Sequence, residues 1–148
     1  SKATEQNYSI AEKVGILIAR SGATLVCGGL EGVMEAACKG AKSAGGSTIG
    51  ILPGLSKGEA NQWIDIPICT GLGDARNIVV VRTGSAVIAI GGAYGTLSEI
   101  GHALSDGKPI FALNSRELTK SGIQDPLLIH CKNETEAVEK ALASVNGG

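Results

Sequence analysis

At 148 residues the chain is long enough to bury one hydrophobic core, while only 18% of it is charged and its net charge is −1. That balance leaves no electrostatic footprint for nucleic acid or an anionic membrane surface, and aromatics at 3% are too few for a base-stacking face. Glycine stands out instead: the 22 glycines are about twice the ordinary share, and many lie in pairs after apolar runs, as tight turns do.

In chain order, Ile10, Val14, Ile16, Leu17 and Ala19 mark the apolar face of an opening helix that Ser21-Gly22 ends. "ATLVCGG" (23–29) reads as a short buried strand stopped by two glycines, and "EGVMEAACKGAKSAGG" as a small-residue helix. The strands "STIGILPG" (47–54) and "DIPICTG" (65–71) follow, then a helix rich in β-branched residues, "ARNIVVVRTG" (75–84). After these come the strand "AVIAIGG" (86–92), the helix "TLSEIGHALSDG" and the strands "KPIFAL" (108–113) and "DPLLIHC" (125–131). The helix "ETEAVEKALASV" (134–145) closes the chain.

Continuous apolar strands alternating with helices imply parallel pairing, so the expected fold is α/β: a doubly wound, Rossmann-like parallel sheet in a single domain over residues 1–148. Such folds usually open on a central strand. Because this chain opens on a helix, a first strand is expected upstream of residue 1. Cys27, Cys38, Cys69 and Cys131 form no CxxC pair and sit among apolar or small residues, which predicts buried thiols in a reducing compartment. With no signal peptide, membrane span or lipidation motif at either end, a soluble cytoplasmic domain is expected. No residue cluster has metal-ligand spacing.

Ligands of open parallel sheets bind outside the carboxyl ends of the strands. Three glycine-bearing turns fall at such ends: Gly28-Gly29, Pro53-Gly54 and Gly91-Gly92. The first and third lead into helices, whose free N–H groups suit a phosphate, and Thr96 can cap the second of these helices or reach a phosphate oxygen. Neither turn is a P-loop or a GxGxxG fingerprint. Glu99 reads two ways on local chemistry. It can complement a helix dipole, or it can serve beside a phosphate as a base, a sugar-hydroxyl acceptor or the partner of an arginine.

"GDARNIVVVRTGSAVIAIGGAYGTLSEI" resembles the signature of the LOG family, phosphoribohydrolases long mislabelled as lysine decarboxylases. Gly92, Tyr94, Gly95, Thr96 and Glu99 fall on its PGGxGTxxE motif, and Arg76 and Arg82 on its upstream arginines. Gly91 replaces the motif's proline, and Ala93 stands at its third position. "GAKSAGGSTIGILPG", "DIPICTGLGDARN" and "IGGAYGTLSEI" are closer to a sister branch that includes the molybdenum-cofactor carrier proteins.

The resemblance implies a carrier that binds a phosphorylated small molecule, either a nucleotide or a molybdopterin-type cofactor, at the carboxyl edge of the sheet. Its alternative is a nucleoside 5′-monophosphate phosphoribohydrolase cleaving an N-glycosidic bond, with Arg76 and Glu99 as the catalytic residues. In either case Gly28, Gly29, Gly91, Gly92, Ala93, Gly95 and Thr96 would line the phosphate site, and no metal site is implied beyond what the cofactor carries. The family also implies a homodimer or larger homo-oligomer, for which the small-residue helix "GVMEAACKGA" would suit close contact. A non-enzymatic module akin to DNA-processing Rossmann proteins lacks the basic surface it would need. Arg82, His102, His130 and Trp63 read mainly as structural residues, His130 with no partner evident in the sequence.

Overall fold

The computed structural model describes residues 2–92 and 94–146. It contains six helices, α1 (Lys2–Arg20), α2 (Val33–Ser43), α3 (Arg76–Thr83), α4 (Tyr94–Ser105), α5 (Arg116–Lys120) and α6 (Glu134–Asn146). Six strands lie between them, β2 and β3 in succession: β1 (Leu25–Cys27), β2 (Thr48–Leu52), β3 (Ile66–Cys69), β4 (Val87–Ile90), β5 (Ile110–Leu113) and β6 (Leu128–His130). All pairings among the described residues are parallel, in two three-stranded sheets ordered β1-β2-β3 and β4-β5-β6. This is the expected Rossmann-like α/β architecture. The chain divides into two compact units, Ser1–Val80 and Val81–Gly148.

In the first unit, β2 lies between β1 and β3, and Thr48, Ile51 and Leu52 are almost wholly buried. β3 ends its sheet and alternates exposed with half-buried residues, so Pro67, which has no N–H to donate, is tolerated there. The crossover from β2 to β3, residues 53–65, contains no α-helix, only the 3-10 turn Lys57–Glu59. Lys42 Nζ and the Thr48 backbone N–H both donate to Asp65 Oδ2, at 2.9 and 3.0 Å, tying this crossover to α2 and β2.

α1 packs along α2 closely enough that side chains are excluded from the contact. A Cβ on Gly15 would stand 2.0 Å from the Ala37 carbonyl oxygen, and one on Gly40 would stand 2.0 Å from that of Glu12. Ala11, Val14, Ala37, Cys38 and Ala41 close the seam. The small face of α2, expected to suit a subunit contact, is therefore covered by α1 of the same chain. Helices α1, α2 and α4 end alike, with a bond from the residue just after a left-handed glycine back into the helix: Ala23 to Ile18, Gly46 to Ala41 and Lys108 to Ala103.

The second unit is built on β5, whose Ile110, Phe111, Ala112 and Leu113 are all buried, as a strand covered on both faces must be. Val81, Ala89, Ile100, Ala103, Leu118 and Leu128 complete the core, and both α4 and α6 pack on β4 and β5. α5 was not evident in the sequence because five residues carry no readable period. It is held by Leu118 in the core and by the Ser115 carbonyl, which accepts from the Leu118 and Thr119 N–H groups. Lys108 Nζ donates to the Val81 and Gly84 carbonyls at 2.6 Å, fastening the end of α3 to this unit.

Two predictions follow from this packing. Gly15→Ala and Gly40→Ala should each lower stability by about 1–3 kcal/mol, because the clash is with backbone that can yield only by moving a helix. Gly101→Ala, with nothing within 4 Å of the added carbon, should raise stability by about 0.5–1 kcal/mol. Urea unfolding of the three variants reads both signs. The Lys42 ammonium holds the Asp65 carboxyl below the usual carboxylate range. Its contribution is thus present above the unfolded value of about 4 and is lost as pH falls through the folded one. The stability gap between wild type and Asp65→Asn should accordingly be widest near neutrality and close on acidification, as measured by unfolding at several pH values.

Candidate functional site

At the carboxyl end of β1 the chain turns through Gly28 and Gly29 into α2. Gly29 has φ +79°, and a Cβ there would lie 2.6 Å from Leu52 Cδ2 and 3.1 Å from Gly50 Cα. Only glycine meets both demands. Gly28 serves a different purpose: its missing side chain leaves space for Arg76, whose Nη2 would be 2.8 Å from an added Cβ, as would Met34 Sδ.

Arg76 is the first residue of α3, only 7% exposed. It donates through Nη1 to the Asn77 side chain, itself buried. Its Nε is fully enclosed and has no hydrogen-bond partner among the described residues. A buried guanidinium with an unmatched N–H is costly, so the arrangement is poised to accept an anionic oxygen. α2 adds to this, since its N-cap, Gly32, provides no side-chain bond to the first N–H groups of that helix.

Asn61, which sequence reasoning passed over, secures the turn. Its side-chain amide donates to the Leu30 and Gly29 carbonyls at 2.8 and 3.3 Å, and its backbone N–H donates to Gly29 at 2.9 Å. Its Oδ1 accepts from the Trp63 N–H at 2.9 Å. The only sequence signal was a polar residue in an otherwise unassigned stretch, "GEANQW". The Pro53-Gly54 turn is not an open anion seat. Glu59 occupies the position of a Gly54 side chain, with its carboxylate closing a capping box on Ser56.

In the second unit, β4 runs into Gly91, which has φ +76° and donates its N–H to the Leu113 carbonyl at 2.9 Å, extending the ladder with β5. Gly92 follows, and Ala93 lies outside the described residues. α4 begins at Tyr94, two residues earlier than expected, so Gly95 and Thr96 belong to its first turn and Thr96 is not its cap. Their backbone N–H groups are among the four that a helix start leaves without intrahelical partners. Glu99 is half-buried, one turn further on. Arg76 and Glu99 thus belong to different units, each assembled with its own glycine turn.

The remaining candidates are structural. Arg82 forms a two-pronged pair with Asp106, Nε to Oδ2 at 2.9 Å and Nη2 to Oδ1 at 3.1 Å, and this bonding holds the Asp106 carboxyl below its ordinary range. His130 has a partner after all: at the last residue of β6, its Nδ1 lies 2.5 Å from Ser115 Oγ, just past the end of β5. His102 borders a shallow hollow on α4 with Leu97, Ser98 and Gly101. Among the described residues no group of three or more His, Cys, Asp or Glu side chains is placed to hold a metal ion, and no helix is long and apolar enough to cross a membrane.

Removing the Asn61 amide takes a donor from the part-buried Leu30 carbonyl and a partner from the Trp63 N–H, while the Gly29 carbonyl keeps the Asn61 backbone N–H. Asn61→Ala should cost about 1–3 kcal/mol, read by urea unfolding.

Three comparisons bear on this geometry. The model of the SLOG cluster4 family matches residues 1–142. An uncharacterised protein of Archaeoglobus fulgidus is 50% identical over 109 residues, 74% of this chain and 72% of that protein. Among solved structures, the molybdenum cofactor binding protein of Rippkaea orientalis superposes with a TM-score of 0.87 at 38% identity, covering 93% of this chain and 86% of its own. The molybdenum cofactor carrier protein of Chlamydomonas reinhardtii superposes with a TM-score of 0.85 at 34% identity, covering 96% and 90%.

Proposed function

The chain belongs to the SLOG cluster4 family, and on that premise we propose that it binds a phosphate-bearing cofactor of the molybdopterin type and carries it without chemical change. The observation that supports this reading most directly is Arg76: a buried guanidinium whose Nε lacks a partner, set against a glycine that makes room for it. A phosphate oxygen satisfies that N–H and neutralises the buried charge in one contact. The uncapped start of α2 offers further N–H donors beside it. The two solved relatives named above carry or bind the molybdenum cofactor, which favours that cofactor class over a free nucleotide. The redox metal belongs to the cofactor; the residues of this chain supply only anion binding and exclusion of water.

The turn after β4 has a similar construction, a left-handed glycine followed by the start of a long helix. Gly91, Gly92, Ala93, Gly95 and Thr96 are assigned phosphate or other anionic contacts there through their backbone and the Thr96 hydroxyl. Glu99 is assigned a hydrogen bond to a ring N–H or a hydroxyl of a ligand held at this turn. In a carrier neither Glu99 nor Arg76 performs chemistry.

The test is titration of the purified chain with molybdenum cofactor released from a donor enzyme, followed by equilibrium dialysis. Arg76→Met should weaken binding about 10- to 100-fold, the range expected for a lost charged hydrogen bond, while the unliganded variant is no more than about 1 kcal/mol less stable than wild type. Glu99→Gln should change affinity only modestly. If nucleoside monophosphates instead release free base in a Glu99-dependent manner, the chain is a hydrolase and the carrier reading falls.

A further inference from the structure

The strongest feature outside the anion-binding geometry is a pair of thiols directly beneath the first glycine turn. Cys27 ends β1, immediately before Gly28, and Cys38 lies midway along α2. Their sulfurs are 3.5 Å apart, at van der Waals contact with nothing between them. Cys27 Sγ also accepts the Gly29 N–H at 3.4 Å. Cys38 is wholly buried and Cys27 half-buried, so Cys27 is the less enclosed residue of the pair. Cys69 and Cys131 are half-buried as well, and both sulfurs lie elsewhere in the chain.

We propose that Cys27 and Cys38 form a reversible disulfide on exposure to a hydroperoxide, and that this bond resets the Gly28-Gly29 turn. The contact with Cys27, followed by burial, pushes the Cys38 thiol up, so Cys38 keeps its proton, and the half-buried Cys27 is the sulfur placed to meet the oxidant. The Cys27 thiolate attacks the peroxide oxygen, the O–O bond breaks, and Cys27 becomes a sulfenic acid as one hydroxide or alkoxide leaves with a solvent proton. Cys38 sulfur then attacks the Cys27 sulfur. The S–O bond breaks, the Cys38 proton leaves with the departing hydroxyl as water, and the S–S bond forms. Two electrons pass from the two sulfurs to one peroxide. A dithiol reductant reverses the step.

The bond shortens the sulfur separation from 3.5 Å to about 2.05 Å. α2 cannot supply this movement readily, because Gly15 and Gly40 pin it to α1 at backbone contact. The shift falls on Cys27, whose sulfur moves away from the Gly29 N–H and releases the hydrogen bond that shapes the turn. Gly28 and the Arg76 guanidinium it accommodates are next in line. That consequence for anion binding rests on the carrier reading above, whereas the disulfide itself does not.

Cys27 and Cys38 fall in one tryptic segment, residues 21–39, so the bond registers as a loss of two hydrogens within that peptide and as protection of both sulfurs from alkylation after unfolding. The full reduced chain is treated with graded hydrogen peroxide and mapped by mass spectrometry, and inorganic phosphate affinity is measured on the reduced and oxidised forms. The expected result is the closed 21–39 peptide at lower peroxide than any modification of Cys69 or Cys131, reversal by dithiothreitol, and at least about a fivefold change in phosphate affinity between the two forms. Cys38→Ser should leave a Cys27 sulfenic acid that dimedone traps, and Cys27→Ser should leave Cys38 unmodified, so either variant alone suffices if the other does not fold. Cys69 or Cys131 reacting first, or Cys27 and Cys38 remaining alkylatable throughout, overturns the disulfide. A disulfide that leaves phosphate affinity unchanged overturns the coupling. If the reduced form binds no phosphate while peroxide still closes the 21–39 peptide, the anion site is overturned and the bond stands.

Discussion

The backbone contact between α1 and α2 is the constraint on which the first unit depends. Gly15 and Gly40 each place a carbonyl of the opposing helix where a side chain would be, and so fix the separation and the sliding position of the two helices. Dispersion across such a seam is strong because so many atoms meet at close range. Its consequence reaches beyond stability. With α2 immobile, its first turn, its buried Cys38 and the glycine turn leading into it are set as one piece against β1 and β2.

On that frame the electrostatics of Arg76 become intelligible. A guanidinium buried to this degree is ordinarily matched by a carboxylate, but among the described residues the side-chain bond of Arg76 goes to the Asn77 amide, and its Nη2 lies against the bare Gly28. Stability alone would favour an apolar side chain in the same volume. The cost of the unmatched Nε falls on a part of the chain held firmly in place, because Asn61 ties the neighbouring glycine turn and the α1–α2 seam fixes α2. Arg82 is the contrast: six residues later, exposed, and fully occupied by Asp106. Two arginines of similar standing in the motif therefore have different roles, decided by burial and partner.

The second unit has a simpler logic. β5, buried on both faces, and the apolar sides of α4 and α6 form the core, and the polar chemistry is displaced to the strand ends. There, Gly91 turns the chain with a left-handed φ while still bonded to Leu113, so the start of α4 is anchored to the sheet. Asn114, with φ +49°, performs a comparable turn after β5 without being glycine, as asparagine can. Ser115 and His130 meet just beyond it.

What the sequence determined by itself is the order and type of almost every element, the glycine turns at the strand ends, and the candidacy of Arg76 and Glu99. These rest on short-range physics: apolar period, β-branched runs, the conformational freedom of glycine and the motif carried by a few consecutive residues. The tertiary structure alone decided the partnerships. Asn61 reaching back to Gly29, Glu59 filling the Gly54 turn, Lys42 meeting Asp65, and Cys27 meeting Cys38 all join residues whose separation in the chain carries no period. The five-residue α5 also escaped the sequence, being held by the burial of Leu118 and not by any repeat. Local conformational energy selects the elements, but which side chains face one another is settled only when packing brings distant segments within a few ångströms.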